Sequence, residues 1–252
     1  MYTSVVQLKK HYLCIVNHIE IKHLTIGYRH HKVAKDLSAR LESGYLTCLI
    51  GRNGLGKSTL LRTIAGFQPA LEGEVNIGVD DRSYRVDNLS RAHLSHLVSV
   101  VLTEKMDVSH VTAAEMVGMG RMPYTGFWGR LSHADRFMVS EALRITGISS
   151  LADRDISTLS DGERQKVMIA KAQAQQTPIV LLDEPTAFLD YPSKVYMMKL
   201  LAKMAHEEGK IILLSTHDLD IVLRHADHIL TLDNGLKTIS KEELSAELGN
   251  LK

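Results

Sequence analysis

The sequence predicts an α/β fold: a mostly parallel sheet flanked by helices, with an antiparallel β segment ahead of it and an α-helical segment inserted into it. Three observations carry this. Nearly all-apolar runs at residues 45–50, 97–102, 179–183 and 211–215 read as strands buried on both faces, and helical patterns separate them. Two stretches near the N-terminus instead alternate apolar and polar residues with period two. After Leu102, roughly sixty residues show helix signals only. A chain of 252 residues accommodates one such domain with its insertion.

Residues 1–18 read as an N-terminal extension. Ile19 to Ile26 and Val33 to Leu41 follow as antiparallel strands, ended by Gly27 and by Glu42-Ser43-Gly44. Tyr45 to Ile50 is a strand running into a Gly-rich loop and then a helix, Lys57 to Ala65, closed by Gly66. Gly73 to Asn88 reads as turn-rich. Thr112 with Glu115 and Ser132 with Asp135 have capping-box spacing; they open a short helix stopping before Pro123 and a longer one stopping at Gly147. An aromatic-rich loop, Tyr124 to Trp128, lies between them. Ser160 with Glu163 opens a further helix that ends before Pro178, and Pro192 starts one that Gly209 ends. The expected organisation is a domain over 19–240, with a helical subdomain at about 104–165, and a C-terminal helix or tail over 241–252.

Composition excludes several partners. With 30 Lys+Arg against 29 Asp+Glu the formal charge is +1, so no bulk field draws the chain to nucleic acid, and no nucleic-acid partner is expected. No apolar run approaches the roughly 20 residues of a membrane span. Residues 1–18 lack a secretory h-region, which makes the cytoplasm the expected compartment. Cys14 and Cys48 are expected to be reduced, and the 13 histidines show no metal-ligand spacing.

Residues 51–59, GRNGLGKST, match G-x-x-x-x-G-K-[ST] between the strand and the helix that this motif requires. Gly51, Asn53, Gly54 and Gly56 let backbone N–H groups close around phosphate oxygens at a helix N-terminus. Lys57 supplies charge to the β- and γ-phosphates, Ser58 a hydroxyl for Mg²⁺, and Thr59 completes the motif. The fold expectation sharpens to a P-loop NTPase core that binds a nucleoside triphosphate with Mg²⁺; the loop alone would still allow a kinase or a GTPase. IVLLDE, residues 179–184, delivers Asp183 to the end of a buried strand, placed for Mg²⁺, with Glu184 beside it able to polarise water for in-line attack.

Between these motifs stands LSDGERQ (159–165), and after them AFLD (187–190) and STHD (215–218). Together they resemble the signature, D-loop and switch-histidine segments of the ATP-binding-cassette ATPases, over about residues 19 to 240. The resemblance implies that the nucleotide is ATP and that Tyr28 stacks on adenine. It places Ser160 and Gly162 against the γ-phosphate held by a second subunit in an ATP-bound homodimer, takes Asp190 across that interface, and has His217 steady Glu184 and the attacking water. GMGRMPYTGFWGRL (118–131) is similar to the ATPases of importers for ferric siderophores, haem and cobalamin. It implies a peripheral subunit on the inner face of the plasma membrane that works with transmembrane permease subunits and, through them, with a substrate-binding protein. Phe127 and Trp128 then suit a contact with the permease, or packing within the helical subdomain. An exporter ATPase and a cassette of DNA repair or translation are the competing functions.

Two positions depart from the family. Where Gln is usual at the junction with the helical subdomain, Thr103 and Glu104 follow Leu102. Glu104 can reach the metal, whereas Thr103 could instead position a water. In the signature, Asp161 stands where Gly is usual, an electrostatically odd choice beside a phosphate.

Overall fold

The computed structural model describes residues 16–29, 31–79, 82–102, 110–187, 189–233 and 235–249. Strand β1 (Val16–Tyr28) pairs antiparallel with β2 (His31–Glu42), Ile19 facing Leu41 and Ile21 facing Ala39. Next come β3 (Leu46–Ile50) and α1 (Lys57–Ile64). Strands β4 (Glu72–Val79) and β5 (Arg82–Arg85) complete a four-stranded antiparallel sheet in the order β2-β1-β4-β5.

That pair of strands corrects the turn-rich reading of Gly73 to Asn88. The glycines are strand residues, needed where backbones approach closely. A Cβ on Gly73 would fall on the carbonyls of Lys22 and His23, where β1 bulges, and one on Gly78 would fall inside the His18 ring.

Helix α2 (Arg91–Leu97) leads into β6 (Val98–Val101), so Leu97 belongs to a helix and not to the strand expected from residue 97. The helical segment contains α3 (Ala113–Gly118), α4 (His133–Ile145) and α5 (Asp161–Gln175). After α3 the chain does not stop before Pro123 but continues as a 3₁₀ stretch, Met119–Tyr124, in which the missing proline N–H is tolerated. Strand β7 (Ile179–Asp183), α6 (Tyr191–Glu208) and β8 (Ile211–Ser215) follow with the expected bounds, and Gly209 ends α6 at φ 67°. Helix α7 (Leu219–His225), β9 (His228–Leu232), β10 (Leu236–Ile239) and α8 (Lys241–Gly249) finish the described chain.

The second sheet has the order β10-β9-β3-β8-β7-β6, parallel except at β10. Its period of two divides two cores. Leu49, Leu181 and Leu213 join α1 and the inner face of the antiparallel sheet. Leu46, Cys48, Leu182 and Leu214 face α6, α7 and α8. Burial pushes the Cys48 thiol up to about 12, so it packs as a small apolar side chain; Cys14 lies outside the described residues. A third cluster, with Met116, Val139, Leu143 and Val167 at its heart, holds α3, α4 and α5 together. The extension expected over residues 1–18 overlaps β1 in its last three residues, and the remainder is outside the described ones.

Candidate functional site

The parallel strands place their C-terminal ends on one edge, where Ile50, Asp183 and Ser215 come together; Leu49 and Asp183 both pair with Ser215 in register. From this edge the chain enters the loop of residues 51–56. Gly51 takes φ 149°, where any Cβ would strike the Leu232 carbonyl, and Gly56 takes φ 104° beside the side chain of Val33. Both need glycine. At Gly54 a Cβ would meet nothing within 4 Å, so the loop is open on that side.

Helix α1 starts at Gly56 with no side-chain cap and no acidic residue in its first turn. The other described α-helices are all capped: by Ser90, Thr112, Ser132, Ser160, Asp190, Asp218 and Ser240. The first-turn N–H groups of α1 have no intrahelical partner, and here the sequence supplies none from a side chain. Lys57 Nζ curls back over the loop to donate to the carbonyls of Gly51 (2.7 Å) and Arg52 (3.2 Å). An open loop, uncapped N–H groups and a lysine on carbonyls fit a polyphosphate. The Tyr28 hydroxyl lies 3.3 Å from Thr59 Oγ1, which sets a half-exposed ring at the end of β1 beside the loop.

Ser215 organises the acidic side. Its hydroxyl donates to Asp183 Oδ1 at 2.6 Å, and its Oγ and carbonyl both accept from the Glu184 N–H, at 3.0 and 3.1 Å. Glu184 adopts φ 49°, a left-handed conformation that costs a non-glycine residue free energy and turns its carboxylate away from the strand direction. There Glu184 Oε2 lies 2.8 Å from His217 Nδ1, leaving Nε2 of the ring available to a ligand. Ser58 is exposed beside the loop. Among the described residues no three His, Cys, Asp or Glu side chains form a metal cluster, so a divalent ion held by Ser58 and Asp183 would complete its shell with phosphate oxygens and water. Glu104 and Thr103 lie outside the described residues.

The signature is built differently. Ser160 caps α5 in a full capping box: Glu163 Oε2 accepts from the Ser160 N–H and hydroxyl, both at 2.8 Å, and Ser160 Oγ accepts from the Glu163 N–H. The Ser160 N–H and hydroxyl hold the Glu163 carboxyl below its ordinary range. Gly162 sits under the Leu189 side chain, where a Cβ would come within 3.2 Å, so the missing side chain lets α5 approach the segment leading to Asp190. Asp190 caps α6 through the Ser193 N–H, and its hydrogen bonds with Ser193 hold its carboxyl low.

Sequence reasoning missed Ser215 and the buried pair of Arg121 Nε with Asp135 Oδ1 at 3.0 Å. Ser215 sits in the quoted STHD segment and Arg121 in the 118–131 segment, while Asp135 reads in the sequence only as a capping-box residue; their contacts depend on strands and helices meeting. Phe127 and Trp128 are 97% and 82% exposed, their rings edge-on at 5.6 Å, so they do not pack within the helical subdomain.

Residues 34–187 match the ABC transporter family. An ABC transporter ATP-binding protein of Methanocaldococcus jannaschii is 34% identical over 241 residues, covering 93% of this chain and 82% of that protein. The iron(3+)-hydroxamate import ATP-binding protein of Bacillus subtilis is 34% identical over 233 residues, covering 92% and 84%. A dimeric ATP-binding cassette solved in a post-hydrolysis state with ADP and Pi superposes with a TM-score of 0.76 at 26% identity, covering 88% of this chain and 98% of that one. The matched span begins in β2 and ends just short of Asp190, taking in the phosphate loop, the signature and the acidic strand end together, and the chain therefore belongs to the ABC transporter family as one of its ATP-binding, ATP-hydrolysing cassettes.

Proposed function

We propose that this cassette powers import of a metal chelate of the siderophore, haem or cobalamin kind through a separate membrane permease, acting as a head-to-tail homodimer at the inner face of the plasma membrane. The observation that carries the chemical part is the contrast between the uncapped N-terminus of α1 and the capped ones, next to the bonded Glu184–His217 pair. Likeness to the iron(3+)-hydroxamate import protein and the exposed Phe127–Trp128 tip support the transport part. A substrate-binding protein would meet the permease and not this chain.

Lys57 exchanges its two loop carbonyls for phosphate oxygens, while the first-turn N–H groups of α1 hold the same anion in place. Tyr28 offers its ring face to the adenine. Ser58 and Asp183 would hold Mg²⁺, which would supply positive charge to the bound polyphosphate. Glu184 accepts a proton from a water aligned with the γ-phosphate; His217 Nδ1 fixes that carboxylate, and its Nε2 side faces the phosphoryl group. Ser160 and Gly162 close on the γ-phosphate held by the other subunit, and Asp190 crosses between subunits.

Co-expression with a siderophore permease, reconstitution into vesicles, and measurement of ATP-dependent chelate uptake test this. Uptake lost on omitting either ATP or the permease supports the reading. Full ATPase activity without any permease binding would leave the enzyme but remove the importer.

A further inference from the structure

The signature carries two carboxylates, Asp161 and Glu163, at the helix end that the proposed dimer sets against a phosphate. Two unpaired negative charges there would oppose the anion. Neither is unpaired. Arg164 Nη1 lies 3.6 Å from Asp161 Oδ1, and Arg154 Nη1 lies 4.0 Å from Glu163 Oε1.

Each guanidinium is also pinned from behind. Arg164 Nε donates to the Ile156 carbonyl at 3.0 Å and Nη2 to the Ser157 carbonyl at 2.8 Å. Arg154 Nη2 donates to the Thr158 carbonyl at 3.0 Å. These are carbonyls of the short 3₁₀ stretch Ile156–Thr158 just ahead of the signature. Arg164 thus has every arm of its fork engaged, a preorganised charge and not a swinging side chain.

Glu163 has a second duty, as the acid of the capping box. Asp161 has none: Arg164 is the partner the structure gives it. Arg164 and Asp161 are both about half exposed, and in water such a pair contributes little to folding. Closure of a second subunit over the helix end would remove that water and raise the effect of each charge on the phosphate.

We infer that Arg164 is a positioning residue which screens Asp161, making an acidic signature compatible with the γ-phosphate held by the partner subunit. The inference rests on the head-to-tail homodimer proposed above. It leaves the bonds of Ser160 and Gly162 as they stand and assigns the local field to the Arg164–Asp161 pair.

A double-mutant cycle on the whole protein in the Glu184→Gln background tests it, with ATP-dependent dimerisation followed by sedimentation and ATP affinity of the monomer by titration. Arg164→Ala should weaken the dimer about tenfold with monomer affinity unchanged. Arg164→Ala with Asp161→Gly should return it to within about threefold of the parent, because the charge to be screened has gone. Equal weakening by Arg164→Ala in both backgrounds would reduce the arginine to a clamp on Ile156 and Ser157 and overturn the inference; so would no weakening in either. A parent that never dimerises with ATP overturns the homodimer reading itself, and is told apart by needing no substitution at 161 or 164.

Discussion

The phosphate edge and the signature helix, which the proposed dimer joins in one reaction, are made by different physics. Glu184 and Asp183 are set by tertiary structure: strand ends in register, a serine between them and a strained φ at Glu184. The signature is set by neighbours in sequence. Its capping box spans four residues, Arg164 lies three residues from Asp161, and the surface is open to water. In the proposed dimer one region is complete within a single chain, and the other presents groups whose ligand arrives on the partner. Substitutions should therefore affect a lone cassette strongly at the first and weakly at the second.

The largest effect is expected at Lys57. Lys57→Ala removes the side-chain cation from the loop while α1 keeps its uncapped start, and ATP affinity should fall by about 100-fold or more. Fluorescent-nucleotide titration checks this, and an affinity within about threefold of the parent contradicts the assignment of the loop.

Glu184→Gln should spare binding and slow hydrolysis by at least about 100-fold, because the amide cannot accept the water's proton. His217 can still hydrogen-bond the amide oxygen, so the geometry survives. Gel filtration with ATP should then show a dimer, which fails if hydrolysis is unaffected or if the protein elutes only as a monomer.

A third, buried group, Arg121, ties the helical segment together. Its guanidinium joins Asp135, at the start of α4, to the Ala174 carbonyl near the end of α5, and lies 3.9 Å from the centre of the Tyr124 ring. Arg121→Ala should destabilise the helical segment by roughly 2 to 3 kcal/mol, since a buried carboxylate and carbonyl lose their partner. Hydrogen exchange should speed up in α4 and α5 and not in β3 or α1. Uniform exchange across the whole chain would mean that the helical segment does not open separately.

The same contrast decides what was legible in the sequence. The capping residues Thr112, Ser132 and Ser160, the strands at 179–183 and 211–215, and Gly209 were all readable because each depends on a few adjacent residues. Strand β4 was not, because Gly73 and Gly78 look like turn residues until β1 lies against them. Ser215 was quoted in a motif, yet its bonds to Asp183 and Glu184 depend on β7 and β8 lying in register. The phosphate loop was legible in full because its strand, glycines, lysine and helix are consecutive. The pairing of Arg164 with Asp161 lies within one helical turn, but the carbonyls that pin Arg164 needed the fold.

The smallest effect on the isolated protein is expected at the exposed tip. The Gly129 N–H donates to the Gly126 carbonyl, closing a four-residue turn with Phe127 and Trp128 at its centre, and the two rings touch chiefly each other. Changing both to Asp removes no core contact, so stability should move by less than about 0.5 kcal/mol. Nucleotide affinity and basal hydrolysis should not change, because the phosphate loop lies in another part of the chain. If the tip seats against a permease, two carboxylates at that apolar contact would be costly to desolvate. Co-purification with the permease and chelate uptake by vesicles should then fall together while ATPase activity in solution persists. Uptake at the parent's level would remove the tip from the docking surface. A fall in melting temperature of several degrees would show that the rings support the fold after all, against their near-complete exposure.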